Sequence, residues 1–119
     1  MMALLLVAAV GCDKSDQELD GEVVETRARI VNNLAVDGCS WHFEVTNRDS
    51  SKITSLVPTL ATEPTVKSAV PKWGTEDAYS FINVNLKYRR AGTSREIPCG
   101  FGTMQDMDEV EVVEVRAVE

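Results

Sequence analysis

Little in this chain of 119 residues is chemically reactive. It holds one histidine, three cysteines and four prolines, and aromatics make up only 6% of it. A single histidine must serve every imidazole role, from general base to metal ligand. No serine stands in a G-x-S-x-G elbow, and there is no glycine-rich phosphate loop. Bases are scarce as well, 12 against 19 acids, for a net charge of −7. Nucleic-acid binders need a basic face, so that balance argues against such a partner. Long apolar runs are missing too. The opening run, Met1 to Gly11, is well short of the roughly twenty residues that a spanning helix needs. What is there is globular: 44% apolar and 26% charged. A chain of this length supports one core and one domain.

The uncharged opening fits the apolar region of a secretory signal, 1–11. Its end, Ala9-Val10-Gly11-Cys12, resembles the lipobox of bacterial lipoproteins, in which small residues precede the cysteine. That resemblance implies a diacylglyceryl group on the Cys12 thiol, cleavage after Gly11 and acylation of the new amino terminus. Acyl chains contribute about 0.8 kcal/mol per buried methylene, so several make a stable anchor. The protein is thus expected to be exported and lipid-anchored to a bacterial membrane, facing the periplasm or the cell surface. Asp13 follows the cysteine. In some Gram-negative bacteria an Asp there favours the inner membrane, and in other lineages it does not. From Asp13 to Gly21 only Leu19 is apolar, and such a segment cannot bury enough to stay ordered. Residues 12–21 read as a flexible acidic tether, and 22–119 as the domain.

Within the domain the apolar period is two. Val24, Thr26, Ala28 and Ile30 alternate with Glu25, Arg27 and Arg29, which predicts a half-buried strand. Asn32-Asn33 and Asp37-Gly38 are turn signals. Trp41, Phe43 and Val45 alternate with His42, Glu44 and Thr46. Asn47 to Ser51 reads as a polar turn, and Lys52 to Val57 as a short strand ended by Pro58 near an edge. Ala61 to Glu76, broken by Pro64, Pro71 and Gly74, has no convincing period, and loops that long tend to be functional or disordered. Ile82, Val84, Leu86 and Tyr88 line one face of the next strand. A hairpin turn is expected from Arg89 to Ser94, then a short strand at Glu96 to Cys99 and a turn from Gly100 to Met107. The last strand is Val110 to Val118, where the adjacent Val112 and Val113 suggest a bulge. No persuasive amphipathic helix is visible.

Short strands with turns between them predict an all-β fold, a small antiparallel five- or six-stranded barrel. An oligonucleotide/oligosaccharide-binding-like (OB-like) form is expected, because closure removes sheet edges in a small chain. The runs Ala28-Arg29-Ile30-Val31 and Val36-Asp37-Gly38-Cys39-Ser40-Trp41, with Cys99-Gly100 and the valine-rich end, resemble small uncharacterised bacterial lipoproteins. That resemblance implies a β-barrel and no particular activity.

With Cys12 assigned to lipid, two thiols remain in an oxidising compartment, where they usually pair. A Cys39–Cys99 bridge would close a long loop, worth about 4 kcal/mol. The alternative is metal: Cys39 and His42 have C-x₂-H spacing, and Cys99 offers a third ligand. Strand alternation opposes it, placing His42 in solvent and Cys39 on the Trp41 face. Asp106 and Asp108 read as part of an acidic turn rather than an acid–base pair. No metal, cofactor or catalytic residue is therefore expected, and the protein is read as a non-enzyme.

Two features could meet a partner. Trp73, in Pro71-Lys72-Trp73-Gly74, either folds back with Val66 and Val70 to cap a barrel end or stands out as an aromatic anchor. Lys87, Arg89, Arg90 and Arg95 form a cationic cluster that either pairs with acids of the last strand or meets anionic headgroups or an acidic partner. Lys72, Trp73, Arg89 and Arg90 are thus the candidate contacts for an envelope protein or glycan. The first functional expectation is an anchored binding module. The second is a periplasmic inhibitor of a lysozyme-like or other hydrolase, since an acidic surface suits a basic enzyme.

Overall fold

The computed structural model describes residues 22–46, 51–76 and 79–118. The expected signal, Cys12 and the tether lie outside them, as does the expected turn apart from Ser51. Five strands follow along the chain: β1 (Val23–Asn32), β2 (His42–Thr46), β3 (Ile53–Pro58), β4 (Ser80–Pro98) and β5 (Met104–Ala117). They close into a small barrel in the order β1-β2-β3-β5-β4, with β4 returning to β1. This is the expected all-β, OB-like form, with one difference in strand direction. Every pairing is antiparallel except β3 with β5, which run parallel over Leu56 to Pro58. Closure also removes the edge expected at Pro58, which is buried opposite Val110.

Alternation in the sequence becomes the barrel interior. Ala28 and Ile30 of β1, Phe43 of β2, Leu56 of β3, Val84, Leu86 and Tyr88 of β4, and Val110, Val112 and Val115 of β5 form one core cluster. Val45 and Ile82, also expected inside, pack against it partly buried. The bulge suggested by two adjacent valines is present. Lys87 pairs with Glu114 and Tyr88 with Val112, so Val113 is the extra residue and turns outward. The Val112 amide N–H donates instead to Thr62 Oγ1 at 3.2 Å, which satisfies a donor close to the irregularity.

Three expectations fail, each for a physical reason. The hairpin turn at Arg89 to Ser94 is not a turn: β4 runs straight through it for 19 residues. A register shift between Arg90 and Ser94, with Gly92 at φ +81°, bends the strand without ending its pairing to β5. The separate strand at Glu96 to Cys99 is therefore the far half of β4, and β5 begins at Met104 inside the expected turn. The segment expected to lack structure holds a 3₁₀ turn (Leu60–Thr62) and a helix, α1 (Glu63–Ala69). Pro64 is tolerated because it stands in the first helical turn, where its missing N–H has no partner to lose. Seven residues with only Val66 buried are too few to show a period.

His42 is the third correction. Expected in solvent, it is 3% exposed. Phe43 pairs with Leu56 inside the barrel, so their chain neighbours His42 and Val57 share the outer face. That face is covered here, because Val57 packs with Ile97 of the bent β4 and Met107 of β5 in a second small core. The ring donates from Nδ1 to the Ser40 carbonyl at 2.7 Å, and Nε2 lies 3.3 Å from Glu44 Oε2.

Candidate functional site

One end of the barrel is built from two loops tied together. The β1–β2 loop turns on Asn33, whose carbonyl accepts from the Val36 and Gly38 amides and whose Oδ1 accepts from the Cys39 amide at 2.7 Å. Asp37 there adopts φ +71°. The β4–β5 turn is Cys99 to Thr103. A Cys39–Cys99 disulfide joins the two loops across 60 residues of sequence, with Cα atoms 4.0 Å apart. Beside it the Gly100 amide donates to the Gly38 carbonyl at 2.8 Å. A Cβ on Gly100 would lie 2.6 Å from the Asp37 Cα, so the approach requires glycine.

The bridge settles the thiol alternatives. Both sulfurs are bonded to each other, so the C-x₂-H spacing does not assemble a metal centre, and His42 is engaged with Ser40 and Glu44. Among the described residues, no group of three or more His, Cys, Asp or Glu could hold a metal ion.

Next to the tied loops lies an open cleft of about 580 Å³. Trp41 and Trp73 form its floor and are 8% and 3% exposed. The two rings lie 5.8 Å apart, and Trp73 also packs 5.4 Å from Phe43, so the floor continues into the core. Trp41 Nε1 donates to the Thr75 carbonyl at 3.0 Å, clamping the segment after α1 onto β2. Leu34, Ile97 and Pro98 give apolar walls. The charged lining residues are Glu63, Glu76, Glu96 and Arg95. Lys67 comes close from α1, its stem 3.4 Å from a Cβ built on Gly74.

Arg95 is a strut rather than an open cation. It donates from Nη2 to the Pro58 carbonyl at 2.7 Å and from Nε to Glu109 at 3.2 Å, and it lies 3.8 Å from Glu63. Those contacts fasten the bent half of β4 to the end of β3 and to α1. Glu76 and Glu96 are exposed, and neither has an ion-pair partner among the described residues.

The expected contact residues are not brought together. Trp73 is buried as part of the cap that Val66 and Val70 complete, which opposes its role as a protruding anchor and leaves it as the cleft floor. Lys72 is exposed beside it but does not line the cleft. Arg89 and Arg90 face β5 instead, 3.6 Å from Glu111 and 2.8 Å from Asp108, in a ladder with Lys87–Glu114. The cationic cluster is therefore the partner of the last strand's acids. Such exposed pairs contribute about 0–1 kcal/mol each.

Sequence reasoning missed Phe101. It stands between Gly100 and Gly102 at the tip of the β4–β5 turn, 88% exposed, with φ +60°. Glycines on both sides of an aromatic were the signal. Phe101 sits beside the 3₁₀ turn Leu34–Val36, whose Leu34 and Val36 are also exposed. A second, smaller depression of about 390 Å³ lies over β1, lined by Arg27, Arg29, Glu44 and Asn83 among others. Its Arg29 is bound to Glu44 at 2.9 Å and rests over the Phe81 ring at 4.9 Å.

Comparison of the chain with protein-family models, with curated proteins and with solved structures gave no match.

Proposed function

We propose that this protein is a membrane-anchored lipoprotein of the bacterial cell envelope whose barrel is a non-enzymatic binding module for a protein or envelope ligand. The observation that carries the anchor is Ala9-Val10-Gly11-Cys12, an apolar opening that ends at a cysteine and gives way at once to a polar run. The disulfide is consistent with an oxidising compartment. Support for a binding role comes from the aromatic-floored cleft, an arrangement suited to holding a side chain. Small barrels serve many unrelated functions, so the fold itself adds nothing to the choice.

The anchor is tested by metabolic labelling with a radioactive or clickable fatty acid. The wild-type chain should take up label and fractionate with membranes, whereas Cys12→Ser should remain an unlabelled, uncleaved precursor. Equal labelling of the variant would refute the anchor. A second reading, inhibition of a basic hydrolase such as a lysozyme, is favoured by the net charge of −7. A lysozyme turnover assay with the purified Cys12→Ser chain separates the two.

A further inference from the structure

We propose that the cleft over Trp41 and Trp73 receives a lysine or arginine side chain from a basic partner protein, an inference that rests on the binding-module reading above. The floor is the small exposed part of two largely buried indoles, an apolar surface on which an aliphatic stem packs. Glu76 and Glu96 stand exposed at the lining without ion-pair partners among the described residues. The one lining cation, Arg95, is held by Glu63, Glu109 and the Pro58 carbonyl. Even with Lys67 approaching at Gly74, Glu63, Glu76 and Glu96 outnumber the two cations at the cleft, which disfavours an anionic ligand. A guanidinium or ammonium on an apolar stem satisfies floor and rim together.

A protein fits better than a free amine because the cleft has an apolar shoulder. Leu34 lines the cleft, Val36 follows it on the same turn, and Phe101 projects beside that turn. Phe101 is held in a left-handed conformation and packs on almost nothing in its own chain. A non-glycine residue is strained in that conformation. The disulfide and the Gly100–Gly38 hydrogen bond hold this tip at a set place relative to Leu34, so the shoulder is rigid before any partner arrives. Asp37, exposed on the loop beside Gly100, adds a negative charge near the tip.

The chain's two tryptophans are both in the cleft, so intrinsic emission reports this site alone. The full chain with Cys12→Ser is titrated with a short peptide carrying one arginine between two leucines. Matched peptides with norleucine or glutamate in place of arginine are run in parallel. The arginine peptide should give a saturable change in emission that weakens with salt, and the other two should give none. Glu76→Gln with Glu96→Gln should weaken binding about tenfold, and Phe101→Ser severalfold, with melting temperatures unchanged because all three residues are exposed. No saturable change, or equal affinity for the three peptides, overturns the proposal, as does undiminished binding to the double glutamine variant. A dimer in sedimentation that resists the peptide would assign the cleft to a second copy and also overturn it. None of these outcomes alters the acyl-labelling result, so the anchor and the cleft stand or fall separately.

Discussion

Trp41 and Trp73 meet with ring centroids 5.8 Å apart and planes at 42°, joining the start of β2 to the segment that follows α1. Nearly all of both side chains is inside, so this pair holds a connection whose regular structure among the described residues is one 3₁₀ turn and one short helix. Replacing Trp73 by Ala should therefore cost about 3–5 kcal/mol, whereas Lys72→Ala should cost under about 0.5. Urea unfolding followed by circular dichroism compares them. Similar midpoints for the two variants would mean that Trp73 does not pack as described.

Phe43 and Phe101 are the two extremes of aromatic placement in this barrel, one fully buried and one 88% exposed. Phe43→Ala should lose about 3–5 kcal/mol. Phe101→Gly should gain up to about 1 kcal/mol, because glycine adopts φ +60° without the Cβ penalty. A clear loss on Phe101→Gly would show that the ring has a structural role in its own chain.

Arg95 and Arg90 both carry ion pairs, yet their removal should differ. Arg90→Ala removes a surface pair and should cost under about 1 kcal/mol. Arg95→Ala leaves the Pro58 carbonyl without this donor and Glu109 with Thr93 alone, and should cost about 2 kcal/mol. Lysine cannot reproduce the forked contacts, so Arg95→Lys should recover little of it. Thermal melts of the three variants decide the order, and full recovery by lysine would contradict it.

Thiol titration of the unfolded Cys12→Ser chain should find no free thiol, because Cys39 and Cys99 are bonded. Reduction should lower stability by about 4 kcal/mol, the freedom that a long closed loop removes from the unfolded chain. Gly100→Ala tests the same region without touching sulfur. Its new methyl would press on the Asp37 backbone, so the variant should bridge more slowly on refolding and melt lower. Wild-type refolding and melting would show that the loops can move apart freely.

The strands were legible where one face is buried and the other is wet, as in Val84, Leu86 and Tyr88 against Asn83, Asn85 and Lys87. Legibility failed where both faces are covered. His42 follows the same alternation, but the bent half of β4 lies over its side of the barrel, and nothing local announces a cover that arrives from 50 residues downstream. Arg89 to Ser94 misled for a related reason: a polar, glycine-bearing stretch serves a bend inside a strand as well as a turn between two. The disulfide followed from compartment and count rather than from geometry. Of the site, Trp73 was visible as an aromatic without a strand, but its burial and its meeting with Trp41 depend on α1, which is too short to leave a pattern.

β5 is the last strand along the chain, and its neighbours lie at very different sequence distances. β4 precedes it by one turn, but its parallel contact with β3, where Leu56 meets Asp108, spans the helix and the whole of β4. The barrel is therefore a high-contact-order fold whose decisive pairing must overcome most of the chain's loop-closure entropy before it returns any stability. Until β5 arrives, one side of β3 and one side of β4 are open strand edges able to capture a neighbouring molecule. A Cys39–Cys99 bridge formed early shortens that interval, because it sets Pro98 against Ser40 and delivers the start of β5 to the place where the barrel closes.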